Sequence, residues 1–216
     1  MASSSQSTAN NHVRSPRVAI VTGAAQGLGR SIAARLFQDG FNIAINDIPE
    51  KSKQLEELAR EIEGSSGEAG RVLVVLADVS VESEVKGMVE RVVEELGSLD
   101  VMVANAGIAP IASIHDTSTE TLDRVLAVNV RGTFLCYKYA SEQMIRQGGG
   151  GRIIGASSLA GKRGKALIFD IDDRVAENKG LIGIGQGMLS AYSASKFAIR
   201  GLTQAAGASD ESMLWL

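Results

Sequence analysis

Arg17-Val18-Ala19-Ile20-Val21-Thr22-Gly23-Ala24-Ala25-Gln26-Gly27-Leu28-Gly29 decides how the rest of this chain is read. Its first half is an apolar run rich in β-branched residues, the composition of a buried strand. Three glycines follow in the spacing Gly-x-x-x-Gly-x-Gly, and Leu28, Ile32, Leu36 and Phe37 recur behind them at helical spacing until Gly40. Asn42-Ile43-Ala44-Ile45-Asn46 reads as a second strand ending at Asp47. Strand, glycine turn, helix, strand and acid, in that order, form a pattern that holds a dinucleotide. The glycines let the backbone approach a pyrophosphate, and the unpaired N–H groups at the helix start receive it. Asp47 follows at close to the ~20-residue distance expected of an acid that binds the ribose 2′-hydroxyl. A carboxylate there repels a 2′-phosphate and favours NAD, while Arg30, just past the turn, keeps NADP open.

Outward from this unit, strand and helix keep alternating, which predicts an α/β doubly wound parallel sheet covered on both faces. Leu55, Leu58 and Ile62 give one apolar face to a helix after Pro49, and Arg71 to Ala77 reads as a buried parallel strand. Val85, Met88, Val89, Val92, Val93 and Leu96 define a helix opened near Ser80 and closed by Gly97. Leu99 to Ala104 supplies the fourth strand. Thr117-Ser118-Thr119-Glu120 reads as a capping box that opens a long helix toward Gln147. Gly148 to Gly151 turns the chain into a fifth strand over Arg152 to Ala156.

Near the other end, Tyr192-Ser193-Ala194-Ser195-Lys196 sets a phenol and an ammonium at i and i+4, on one helix face. A free tyrosine titrates near ~10. A neighbouring cation favours the phenolate and brings the group toward neutral acid–base work. On its own this spacing is common on helix surfaces; combined with the glycine turn it gains meaning.

Thr22-Gly23-x-x-x-Gly27-x-Gly29 together with Tyr192-x-x-x-Lys196 resembles the short-chain dehydrogenase/reductase family. Ala77-Asp78-Val79, Asn105-Ala106-Gly107, Asn129-Val130-Arg131-Gly132 and Ser157-Ser158-Leu159-Ala160-Gly161 fall in the family's order, and the likeness covers residues 16 to 206. Val103 to Gly107, Phe134 to Tyr137 and Gly151 to Ser158 are most similar to the acetoin/diacetyl (2,3-butanediol) reductase branch. The resemblance implies a Rossmann fold and hydride exchange between a nicotinamide and a small alcohol or ketone. It also implies that Tyr192 moves a proton at the substrate oxygen and that Ser158 hydrogen-bonds that oxygen. Lys196 would lower the tyrosine pKa and bind the ribose, and Asn129 would hold a water linking Lys196 to solvent. Gly23, Gln26, Gly27, Leu28, Gly29, Asp47, Asp78, Val79, Asn105, Ala106 and Gly107, with Tyr192 and Lys196, would bind the cofactor. A homodimer or tetramer is implied as well. The bland alternatives stay open at this point: Ser158 as a turn residue, Asn129 as a buried helix-kink partner.

Bulk properties suit an enzyme domain. The chain has 216 residues, 44% hydrophobic and 22% charged, and its net charge of −3 argues against a nucleic-acid partner. Cys136 is the only cysteine, so no internal disulfide forms, which fits a reducing, cytoplasmic setting; its apolar neighbours mark it as packing. No apolar run is long enough to cross a membrane, and residues 1 to 15 lack the core of a secretory signal and read as a disordered arm. Two stretches depart from the family. Lys165 to Gly187 is an atypical insert that separates Ser158 from Tyr192; its Asp170, Asp172 and Asp173 lack calcium-loop spacing and read as a solvated turn, so no metal is expected. Residues 207 to 216 form a non-family tail, so a sheet of about five strands is expected, without the family's last strands and with the fifth strand's outer edge open. Two functions follow: the small-alcohol oxidoreductase, or a catalytically impaired or inactive dinucleotide-binding fragment of a mis-spliced or mis-predicted gene product.

Overall fold

Val18–Thr22 (β1) is buried along its whole length, and the sheet grows from it in both directions. The computed structural model describes residues 16–65, 70–162, 189–209 and 213–215. β1 pairs in parallel with Asn42–Asp47 (β2) on one side and Val101–Ala104 (β4) on the other. β2 carries Val72–Leu76 (β3), and β4 carries Gly151–Gly155 (β5), again in parallel. The expected doubly wound α/β sheet is therefore present in the order β3-β2-β1-β4-β5. Its winding reverses between β1 and β4, and the crevice beyond the carboxyl ends of those strands is where such sheets bind ligands.

Gly27–Gln38 (α1) and Ser52–Ser65 (α2) cover one face, packing Phe37, Leu55 and Leu58 on Ala19, Val21, Ile43 and Ile45. Glu82–Leu96 (α3) and Gly132–Gln147 (α5) cover the other, with Met88, Val92, Leu135 and Met144 on Ile20, Met102 and Ile153. Ser190–Ser209 (α6) joins that second layer. There the buried Tyr137 hydroxyl of α5 shares a 2.7 Å hydrogen bond with Thr203 of α6. The phenol lies against Gly155, where any Cβ would overlap its oxygen. Beside it Cys136 is fully buried, and burial pushes its thiol up to about 12, so it packs and does not react.

Several elements differ from their sequence reading. Leu28 is 77% exposed, because the inward stripe of α1 is Gly29, Ala33 and Phe37, at steps of four. β3 is an edge strand: Leu73 and Val75 are buried while Val72 and Val74 are half-buried and Leu76 is exposed. α3 opens after Val81, since the Ser80 N–H is taken by Asp78 Oδ1 at 2.8 Å. The cap of the next helix is Ser118, whose Oγ accepts from Thr121 N at 3.1 Å; Thr117 is committed upstream, donating to Ser113 O at 2.7 Å. That helix is also not continuous. Thr119–Val125 (α4) runs into a π-helical turn, Leu126–Arg131, before α5 begins.

The tail contributes a strand. Met213–Trp215 (β6) pairs in parallel with Gly151–Ile153, so the edge of β5 expected to be open is covered over those three residues, and among the described residues the sheet has six strands. The arm at 1–15, and the insert at 165–187 with its three aspartates, lie outside the described residues. Among the described residues no helix is long and apolar enough to cross a membrane.

Candidate functional site

The glycine turn leaves β1 through backbone that side chains disfavour. Gly23 (φ +66°) and Gly27 (φ +58°) occupy the left-handed region. A Cβ at Gly23 would come within 2.8 Å of Ala106 Cα, and one at Gly29 would overlap the Gly23 carbonyl. The turn is thus pressed onto the loop after β4, and hydrogen bonds hold it there. The Thr22 hydroxyl accepts from Asn105 N and Ala106 N, both at 3.0 Å. Asn105 Nδ2 donates to the carbonyls of Thr22 (2.9 Å) and Gly23 (3.3 Å). Gln26, Gly27 and Leu28 remain exposed at the mouth, and among the described residues no side chain caps the start of α1 and its first turn holds no acid, which leaves its N–H groups open to an anion.

Asp47 closes the turn from β2. Its Oδ2 accepts from Ala25 N and its Oδ1 from Ile48 N, each at 3.0 Å. One backbone donor per oxygen leaves lone pairs for two more, enough for a ribose diol. Arg30 points elsewhere, into an ion pair with Glu61 across α1 and α2. At the end of β3, Asp78 Oδ1 caps Ser80, Asp78 N–H donates to Glu84 Oε2 at 2.7 Å, and Val79 is buried against Gly132. Turn, acid and free helix N-terminus together fit a dinucleotide.

The second half of the site gathers around Asn129. The π-helical turn, a feature often found at functional positions, swings this side chain fully inside. Oδ1 accepts from Ile108 N at 2.8 Å, while Nδ2 donates to Ile108 O at 2.9 Å and to Ser195 Oγ at 3.0 Å. Its backbone carbonyl accepts from Thr133 Oγ1 at 2.7 Å. The side chain is a brace between the β4 loop and α6, which is the kink-partner alternative.

Lys196 is only 4% exposed. Its Nζ donates to Ala156 O at 2.6 Å and stands 5.4 Å from the centre of the Tyr192 ring. Burial lowers its pKa from the ordinary lysine value, since a charge in that setting loses its water. Ser157 Oγ donates to the Lys196 carbonyl at 3.1 Å, and a Cβ at Gly161 would come within 2.5 Å of that same oxygen, so the Leu159–Gly161 turn lies flush on α6. Ser158 Oγ accepts from Ala160 N at 3.2 Å, and among the described residues its proton has no acceptor. Tyr192 is half-buried.

The Asn105–Gly107 loop joins the two halves: Ala106 meets Gly23, while Gly107 lies against Asn129 Oδ1 and Lys196 Nζ. Asn129, Ser158, Tyr192 and Lys196 therefore collect at the carboxyl ends of β4 and β5, next to the glycine turn. Sequence reasoning did not single out Thr22, the Ala156 carbonyl or Ser195. Thr22 carried a signal as the first residue of the glycine motif, and Ser195 as a polar residue one step before Lys196 on a helix that buries Ala191 and Ile199. Among the described residues no cluster of three His, Cys, Asp or Glu side chains could hold a metal ion.

The profile of the short chain dehydrogenase family matches residues 17–169. A short-chain dehydrogenase/reductase from Armillaria gallica is 50% identical over 198 residues, which cover 92% of this chain and 67% of that protein. An L-2,3-butanediol dehydrogenase from Corynebacterium glutamicum is 38% identical over 190 residues, covering 88% and 64%. The chain thus spans about two thirds of the length of these relatives. Among solved structures, a short-chain type dehydrogenase/reductase from Mycobacterium marinum superposes with a TM-score of 0.76 at 31% identity, over 90% of this chain and 69% of that one.

Proposed function

The chain belongs to the short-chain dehydrogenase/reductase family, and from that premise we propose that it is a nicotinamide-dependent oxidoreductase interconverting a small secondary alcohol and its ketone, with acetoin or diacetyl the favoured carbonyl. One observation carries this reading. A buried ammonium sits one helical turn from a half-buried phenol, its Nζ 5.4 Å from the ring centre, at the sheet edge beside the glycine turn. A nicotinamide dinucleotide held by the glycine turn and Asp47 would supply or take up the hydride at the substrate carbon. In the reducing direction the Tyr192 hydroxyl gives its proton to the substrate oxygen, and the uncommitted proton of Ser158 hydrogen-bonds the same oxygen as charge builds there. Lys196 keeps a positive charge beside the phenol and offers its remaining protons to the ribose, while Asn129 braces the helix that bears both.

The choice of small ketones is supported by the 38% identity to the butanediol dehydrogenase. NAD is favoured over NADP by the carboxylate of Asp47 and by the commitment of Arg30 to Glu61. A homo-oligomer in the cytoplasm completes the proposal: Phe134 of α5 and Phe197 of α6 stand exposed on helices bonded through Tyr137 and Thr203. A second reading, nucleotide binding without turnover, is favoured by the hold of Ala156 O on Lys196 Nζ, which occupies one ammonium proton. Oxidation of NADH in the presence of diacetyl or acetoin, alongside a nicotinamide-fluorescence titration, separates the two. Binding without oxidation supports the second reading, and absence of both removes them together.

A further inference from the structure

We propose that Ser195 is a positioning residue of this site, its hydroxyl fixing the turn of α6 that carries Tyr192 and Lys196. The role presupposes Tyr192 as the proton donor of the alcohol–ketone exchange proposed above. Ser195 is fully buried, and its one hydroxyl is used twice. It donates to the Tyr192 carbonyl at 2.6 Å and accepts from Asn129 Nδ2 at 3.0 Å. A helical serine commonly back-bonds to its own helix, and that bond alone would be local structure. The second bond is different in kind, because it reaches a side chain on another element.

Asn129 is itself clamped to both the N–H and the carbonyl of Ile108, in the loop that continues from Gly107. A continuous hydrogen-bonded path thus runs from the β4 loop through Asn129 and the Ser195 hydroxyl to the peptide of Tyr192. In an α-helix the carbonyl of Tyr192 receives the N–H of residue 196, so Ser195 grips the peptide that spans the phenol and the ammonium. From the opposite side, Ser157 Oγ holds the Lys196 carbonyl and Ala156 O holds Lys196 Nζ. Removing Ser195 leaves only that second side in place and frees the turn to rotate. A displacement of about 1 Å at a reacting group costs roughly 100-fold in rate.

The test is steady-state reduction of diacetyl by the full chain over a range of pH, with Ser195→Ala and Ser195→Cys. Both variants are expected to lose on the order of 10- to 100-fold in kcat with little change in the NADH KM. The pH at half-maximal kcat/KM is expected to move, because phenol and ammonium change their separation. A variant that is merely less folded lowers kcat equally at every pH and leaves the profile in place, and that result overturns the proposal. Should Ser195→Ala fail to fold, Ser195→Cys decides: the thiol fills the same space but donates weakly, and a cysteine variant with the unmutated kcat and pH profile also overturns it. If the unmutated chain binds NADH yet reduces neither diacetyl nor acetoin, the proposed reaction falls first and the role of Ser195 falls with it.

Discussion

Single side chains at this site serve two masters, and their substitution separates the roles. Asp47 receives the backbone of the glycine turn, and in the proposed function it also binds the ribose. Asp47→Ala should weaken NADH binding, narrow any preference over NADPH and cost about 1.5–3 kcal/mol of stability, the range for hydrogen bonds to a charged group. Equal affinity for the two cofactors in the unmutated chain, read by nicotinamide fluorescence, would contradict the ribose role. Tyr192→Phe should abolish turnover and spare NADH binding, since it deletes only the transferable proton; a variant that keeps most of its rate shows that another group is the acid. Lys196 carries a pH signature as well. Burial lowers its pKa, so between the folded value and 10.5 the unfolded chain binds more protons, and stability rises with pH across that window. Lys196→Met lacks this contribution. In denaturant melts the unmutated chain should therefore gain on Lys196→Met as pH climbs toward 10.5, and a constant gap would show that the ammonium is not desolvated.

At the scale of elements, the glycine turn and the loop after β4 behave as one piece. Gly29→Ala must push the Gly23 carbonyl and the Asn105 side-chain amide aside and should cost about 1–3 kcal/mol, as overpacking does. Gly27→Ala meets open space and faces only its positive φ, a penalty of order 1 kcal/mol. Thermal melts should rank Gly29→Ala below Gly27→Ala, with Thr22→Ser near the unmutated chain and Thr22→Val well below it, because valine leaves the Asn105 and Ala106 amides without their hydroxyl acceptor. The left-handed glycine turn and the placing of Tyr192 and Lys196 on one helix face were legible in sequence because turn geometry and the i, i+4 rule operate over a few residues, and the approach of Asp47 to that turn because the strand–helix–strand unit has a set length. The π turn was not legible. It arises where Asn129 is drawn to Ile108 and Gly132 fits against Val79, contacts between segments that sequence spacing does not connect. The edge position of β3 was hidden for the same reason, since an apolar run reads alike whether one face is shielded or two.

For the molecule as a whole, the doubly wound sheet could be read from the alternation of strands and helices, but its outer border could not. β6 is three residues long and touches the sheet only through β5, so no periodicity announces it. It nonetheless occupies hydrogen-bonding groups that would otherwise be free to pair with another chain. Removing residues 210–216 is expected to leave the far side of the sheet and its nucleotide affinity nearly unchanged while producing larger species in size-exclusion chromatography. A monodisperse truncated chain of unaltered size would show that the border needs no cover.

The contact between Tyr137 and Gly155 has a consequence for how this sequence can change over time. The phenol oxygen fills the volume that any side chain at position 155 would need, and it bonds Thr203 from there. Gly155→Ala in the present background should be destabilising by about 1–3 kcal/mol, whereas the same substitution after Tyr137→Phe meets only the ring carbon and Ile199 Cγ2, each at 3.1 Å, a smaller obstacle. The two positions are thus epistatic, and the order of substitutions matters. A lineage acquires a side chain at 155 at least cost after the hydroxyl at 137 has gone, and once it has, return of the tyrosine carries the same penalty.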